Sequence, residues 1–193
     1  MKLFRLALLF ALAAVSALPA TLFTVSVDTS AIAGSPGSVY FSLFGFDEAP
    51  AATGVITGFN PTAPLGAVTF DVNTSGSLET ALTLSYPGGG DFAAHLRSVS
   101  AFESLIAFTV SLNTTPGLPV SFVFFLFDEE GNPLLLDNPD AGPLVSIDYP
   151  GEGSDWIPAT NGPATANAVP EPGALVLMGL GLAGVGLLRL RRR

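Results

Sequence analysis

The chain has 193 residues, 49% hydrophobic and 12% charged, with a formal net charge of −9 and no cysteine. That length holds one domain with short appendages, and the missing cysteines exclude disulfides, thiolate metal sites and cysteine nucleophiles. The acidic balance excludes nucleic acid as a partner, because a surface of that sign repels phosphate backbones.

Charge is divided unevenly along the chain. All sixteen carboxylates lie between Asp28 and Glu171, where the single basic residue is Arg97. The other six basic residues (Lys2, Arg5, Arg189, Arg191, Arg192 and Arg193) sit in two apolar ends. The middle is rich in Gly, Pro, Thr, Ser, Val and Phe, a composition of strands and tight turns.

Residues 1–20 read as a secretory signal peptide. Lys2 and Arg5 form its positive start, Leu6 to Val15 its apolar stretch, and small residues offer cleavage after Ala17 or Ala20. The apolar stretch is short for a membrane span. Export through the Sec translocon and removal by signal peptidase follow.

Residues 21–149 form the expected domain. Alternation marks strands at Leu22–Asp28, with Phe23, Val25 and Val27 inward, and at Ala67–Val72, with Val68, Phe70 and Val72 inward. Leu105–Leu112 sets Ile106, Phe108, Val110 and Leu112 inward, and Leu144–Tyr149 alternates likewise. Val39–Phe46 and Val120–Phe127 are apolar on both faces, which predicts central strands covered on both sides. Leu82–Tyr86 and Phe92–Arg97 are weaker strand candidates. No long amphipathic helix is present, although the stretch from Ser98 can begin with a helical turn. Short strands divided by Gly/Pro/Asn/Asp turns predict an all-β fold, an antiparallel β-sandwich or jelly-roll-like domain. Residues 150–168 read as a Pro/Gly/Ala-rich linker between domain and membrane.

Candidate chemistry in the domain is sparse. Its one histidine, His95, has no nucleophile-elbow sequence to serve, and the scattered carboxylates form no recognisable glycosidase pair. The chain is therefore expected not to be an enzyme, with a hydrolase as the weakest alternative. Asp128 to Gly142 supplies hard oxygen ligands on turns, and Asp128, Glu130, Asp137 and Asp140 form a weak candidate Ca²⁺ site. The order of an EF-hand loop is missing, and a solvated acidic hairpin turning at Gly131-Asn132-Pro133 is the favoured reading. No other cofactor is implied. Carbohydrate recognition needs a platform of exposed aromatics. Trp156 falls in the expected linker, while Tyr40, Tyr86 and Tyr149 sit in or beside strands.

The tail carries the sharpest signal. Gly173–Leu188 is an uncharged run of 16 residues, which as a helix covers about 24 Å of a hydrocarbon core about 30 Å thick. Arg189, Arg191, Arg192 and Arg193 form a stop-transfer cluster that stays cytoplasmic, as do Lys2 and Arg5 before cleavage. Both ends thus place the middle of the chain outside the inner membrane.

"VPEP" (Val169, Pro170, Glu171, Pro172), then an apolar helix, then a terminal arginine cluster resembles the PEP-CTERM sorting signal, over residues 169–193. The resemblance implies a Gram-negative, exopolysaccharide-producing bacterium and recognition by an exosortase near Pro170-Glu171-Pro172. It also implies a transient inner-membrane anchor, then delivery to the cell surface or the extracellular matrix of a biofilm. The segments "FTVSVDTSAIAG" and "FFLFDEEGNPLLLDNPDAGPLVSIDY" are similar to a β-rich core of some PEP-CTERM proteins, one with no assigned activity. The expected function is that of an exported structural or interaction protein. A lectin-like module that binds exopolysaccharide is the alternative.

Overall fold

The computed structural model describes residues 20–60, 65–138, 140 and 142–169. The expected signal peptide up to residue 19, the span Gly173–Leu188 and the arginine cluster lie outside the described residues. Among the described residues, no helix is long and apolar enough to cross a membrane.

Twelve strands build two antiparallel sheets: β1 (Thr21–Asp28), β2 (Gly37–Gly45), β3 (Ala52–Thr57), β4 (Leu65–Val72), β5 (Thr74–Ser77) and β6 (Ala81–Tyr86), then β7 (Phe92–Val99), β8 (Leu105–Thr114), β9 (Val120–Phe127), β10 (Val145–Tyr149), β11 (Ile157–Thr160) and β12 (Ala164–Val169). One sheet runs β12-β1-β8-β3-β6-β5, the other β11-β10-β9-β2-β7-β4. The chain changes sheet repeatedly, and the two inner faces meet as the core of a sandwich. A single short 3₁₀ turn is formed at Ser30–Ile32, and Asp140 is also 3₁₀.

Alternation places the core. β1 contributes Phe23, Val25 and Val27, β8 Ile106, Phe108, Val110 and Leu112, and β2 Val39, Phe41 and Leu43. β9 adds Val120, Phe122, Phe124 and Leu126. Phe41, Phe108 and Phe124 join the sheets through ring pairs of 4.9, 5.3 and 5.0 Å. Each such side chain, fully removed from water, stabilises the fold by roughly 1.5–3 kcal/mol.

Four expectations are corrected. First, residues 150–168 are not a linker: β11 and β12 close one side of the sandwich. β12 pairs with β1 from Leu22 opposite Val169 to Val27 opposite Ala164, and β11 pairs with β10. Second, β2 and β9 are central within their sheet, but among the described residues no layer covers their outer face. Tyr40, Phe125 and Phe127 are only half-buried there, and Phe44 is 39% exposed.

Third, β4 faces opposite to its predicted orientation. The register shifts between Leu65 and Val68 and between Val68 and Phe70; Val68 and Phe70 are exposed, Phe70 lies opposite Leu96 and Asp71 lies opposite His95. A bulge of this kind reverses which side chains meet the core. Fourth, residues 100–104 lead into β8 without a helical turn.

Candidate functional site

The strand directions gather both ends of the domain at one end of the sandwich. β1 begins there at Thr21, and β12 ends there at Val169 beside Leu22. Antiparallel pairing brings the loops 46–51, 87–91, 115–119 and 150–156 to the same end. They pack on one another. Gly89 N–H donates to the Ala49 carbonyl (3.2 Å), a methyl on Gly117 would meet Pro50 at 3.0 Å, and one on Gly151 the Gly117 carbonyl at 3.2 Å.

Of the expected sorting residues, Val169 is the last paired residue of β12. Pro170, Glu171 and Pro172 lie outside the described residues, as do Arg189, Arg191, Arg192 and Arg193. Pro170 has no amide with which to continue the ladder, which is reason enough for β12 to stop at Val169. Next to this point a cleft of about 310 Å³ is lined by Thr21, Leu112, Asn113, Pro116, Tyr149, Asp155 and Trp156 among others. Trp156, expected in a linker, packs on Tyr149 with ring centroids 5.6 Å apart.

A polar corner occupies the opposite flank, where β4 and β7 approach β5 and β6. His95 is 3% exposed, and its Nδ1 lies 3.0 Å from Asp71 Oδ1. Thr74 donates a short hydrogen bond to the same carboxylate. Partial burial pushes the Asp71 carboxyl up, but the hydrogen bonds from Thr74 and His95 and the imidazole charge together bring it below its ordinary value. Arg97, two residues on, grips Glu79 through Nη1 (2.8 Å) and Nη2, and donates from Nε to the Gly66 carbonyl (3.1 Å). The guanidinium holds the Glu79 carboxyl down at about 2. An aspartate on Nδ1 is the arrangement that orients a catalytic histidine, but general base work needs Nε2 within reach of a proton. Among the described residues, His95 Nε2 is buried and has no hydrogen-bond partner.

The acidic stretch at the far end of the sandwich is held by its own hydrogen bonds. Asp128 accepts from the Asn132 amide N–H (2.7 Å) and Nδ2 (2.9 Å), and these bonds keep its carboxyl below the usual range. Asp140 N–H donates to Asn138 Oδ1 (3.0 Å), and Asn161 Nδ2 donates to the Asn138 carbonyl (2.9 Å). Among the described residues no three His, Cys, Asp or Glu side chains gather where they could hold a metal ion. Asp128, Glu130, Asp137 and Asp140 do not meet as one ligand set there.

The outer face of the β2-containing sheet is the surface that the sequence missed. Phe125 and Phe127 stack at 5.6 Å, with Tyr40 6.3 and 6.2 Å from them. Phe70 stacks on Phe92 at 6.3 Å. A groove of about 460 Å³ runs over Tyr40, Phe44, Phe92 and Phe125 beside Asp91, and another of about 370 Å³ lies over Leu96 and Phe127 beside Asp128. The available signal was the second apolar face of "VSFVFFLF", which was assigned to burial.

The fold and the chain end together define an all-β sandwich domain closed by a C-terminal sorting segment. A model of the PEP-CTERM protein-sorting motif matches residues 168–193, beginning inside β12. The chain thus carries a PEP-CTERM protein-sorting motif behind a β-rich core, which supports export and exosortase sorting. No curated protein matches the chain.

Solved structures with some similarity include a cupin-superfamily sugar phosphate isomerase from Silicibacter pomeroyi, at 11% identity, covering 59% of this chain and 66% of that one, TM-score 0.18. This chain spans just under two thirds of that structure. Two others are the reduced DsbD N-terminal domain of Neisseria meningitidis (10% identity, 67% and 89% covered, TM-score 0.13) and the KRT10-binding region domain of pneumococcal PsrP (12%, 76% and 68%, 0.12). Scores this low carry no argument about fold or function.

Proposed function

We propose that this protein is a non-enzymatic component of the cell surface or extracellular matrix, anchored in the inner membrane by its tail and then released or transferred by an exosortase. The observation that carries this reading is the sorting motif joined directly to a closed sandwich. The buried, unpartnered His95 Nε2 supports a role without turnover. Mass spectrometry of the mature C-terminus, in cells with and without the exosortase, tests the sorting step. The expected result is loss of the arginine cluster only where the enzyme is present; an intact Arg193 in both strains refutes it.

A second reading is favoured by the aromatic outer face: the released domain holds exopolysaccharide. Stacked rings with hydroxyl and carboxylate neighbours suit the alternating apolar and hydroxyl-bearing faces of a sugar chain. The carboxylates Asp91 and Asp128 beside the grooves favour neutral over anionic chains. Retention on purified native polysaccharide, weakened by Tyr40→Ala and Phe125→Ala, is the outcome this reading requires. Unchanged retention in both variants, or none in the parent, removes it.

A further inference from the structure

We infer that, while its tail is still in the bilayer, the domain stands end-on against the lipid surface, with the apolar tips of its end loops in the headgroup layer. The inference rests on the anchoring reading above and goes beyond it, since the anchoring reading says nothing of which surface meets the membrane.

The reach of the chain sets the geometry. Val169 is fixed in β12, opposite Leu22. From Val169 to Gly173, where the uncharged run begins, there are four Cα steps, which extend to at most about 14 Å. The headgroup layer on one side of a bilayer takes up about 5–8 Å of that length. The remaining tether is shorter than a strand of the domain, so the sandwich cannot tumble at a distance from the membrane. A free linker over 150–168 would have allowed this, but β11 and β12 tie that segment into the sandwich. The N-terminal end obeys the same constraint before signal cleavage, because Thr21 starts β1 at the same end.

The composition of that end agrees with contact. Phe46 in loop 46–51 is 68% exposed, Leu118 in loop 115–119 is 44% exposed, and Ile157, at the start of β11, is 55% exposed. Trp156, half-buried where it lines the cleft, is the residue type that settles at a membrane interface. The carboxylates Asp47, Glu48, Asp91, Glu152 and Asp155 lie on the loops of this end, with no basic residue among them. Charge therefore does not draw this end to an anionic bilayer. Contact depends on the tether and the apolar tips, so a domain cut free of its tail has no electrostatic reason to stay.

The chain provides its own probe, since Trp156 is its only tryptophan. The full chain is reconstituted through its tail into phosphatidylcholine vesicles, with and without bromine on the upper acyl chain, and co-flotation with the vesicles is recorded. The expected result is loss of Trp156 emission in brominated vesicles. A Phe46→Asp/Leu118→Asp variant should float equally well but lose the quenching. Leu105→Asp, an exposed change at the opposite end of the sandwich, should leave quenching as in the parent. A parent that floats without quenching overturns the inference, as does quenching equal in all three proteins. A parent that does not float refutes the anchoring reading instead, so the two failures are distinct. Circular dichroism of the variants separates lost contact from lost fold.

Discussion

Phe124 and Phe125 are consecutive residues of one type on one strand, and the sandwich assigns them opposite faces. Phe124 is fully buried, with ring centroids 4.9 Å from Phe41 and 5.0 Å from Phe108. Its replacement by alanine removes a large core side chain and leaves a cavity, at about 3–5 kcal/mol. The two lost ring pairs place it in the upper part of that range. Phe125 is half-buried on the outer face, where it stacks on Phe127. Only part of its area leaves water on folding, so Phe125→Ala should cost about 1–1.5 kcal/mol. For a domain of this size each kcal/mol moves Tm by about 2–4 °C. Melting followed by circular dichroism should therefore fall by about 6–20 °C for Phe124→Ala and by about 2–6 °C for Phe125→Ala. Equal losses would refute the reasoning, because they would mean that another layer covers the outer face in the native protein.

The Glu79 carboxyl, held at about 2 by Arg97 against an ordinary 4.5, stabilises the fold above pH 4.5 and loses that contribution as pH falls toward 2. The pair is largely exposed, so Glu79→Gln should cost no more than about 1 kcal/mol at pH 7; urea titrations of parent and variant should converge near pH 2. Gly162 turns the chain between β11 and β12 at φ +95, and a Cβ there would run into the Leu135 carbonyl oxygen. Gly162→Ala should cost about 1–3 kcal/mol, read as a lower urea midpoint. Calcium titrated into the purified protein should give no calorimetric heat and leave Tm unmoved, because the Asp128 oxygens are engaged by Asn132.

Legibility in the sequence followed local pattern. The buried faces of β1 and β8 were readable because period-2 alternation is a local signal, and the fold class followed from strand number and turn chemistry. β12 was not readable. "ATANAV" has small side chains, with Ala164 its only buried residue, so its strand character comes from the ladder to β1 about 140 residues away. β5 ("TSGS") and β3 ("ATGVIT") are likewise strands by pairing rather than by composition. β4 has a clear alternation and still misleads, because two register slips against β7 decide its face. The His95–Asp71 contact depends on that same slip, so no reading of the residues alone would find it.

The pairing of β12 with β1 also limits where processing can fall. β1 carries Phe23, Val25 and Val27 in the core and has β8 on one side and β12 on the other. Scission N-terminal to Val169 would strip partners from β1 and expose the long open edge of an apolar strand, which sheet proteins normally protect. Scission at or beyond Pro170 removes no partner of the described ladder, whose last pair is Leu22 with Val169. On the proposed sorting reading, a cut just after Val169 is thus the first that leaves the described ladder between β1 and β12 whole.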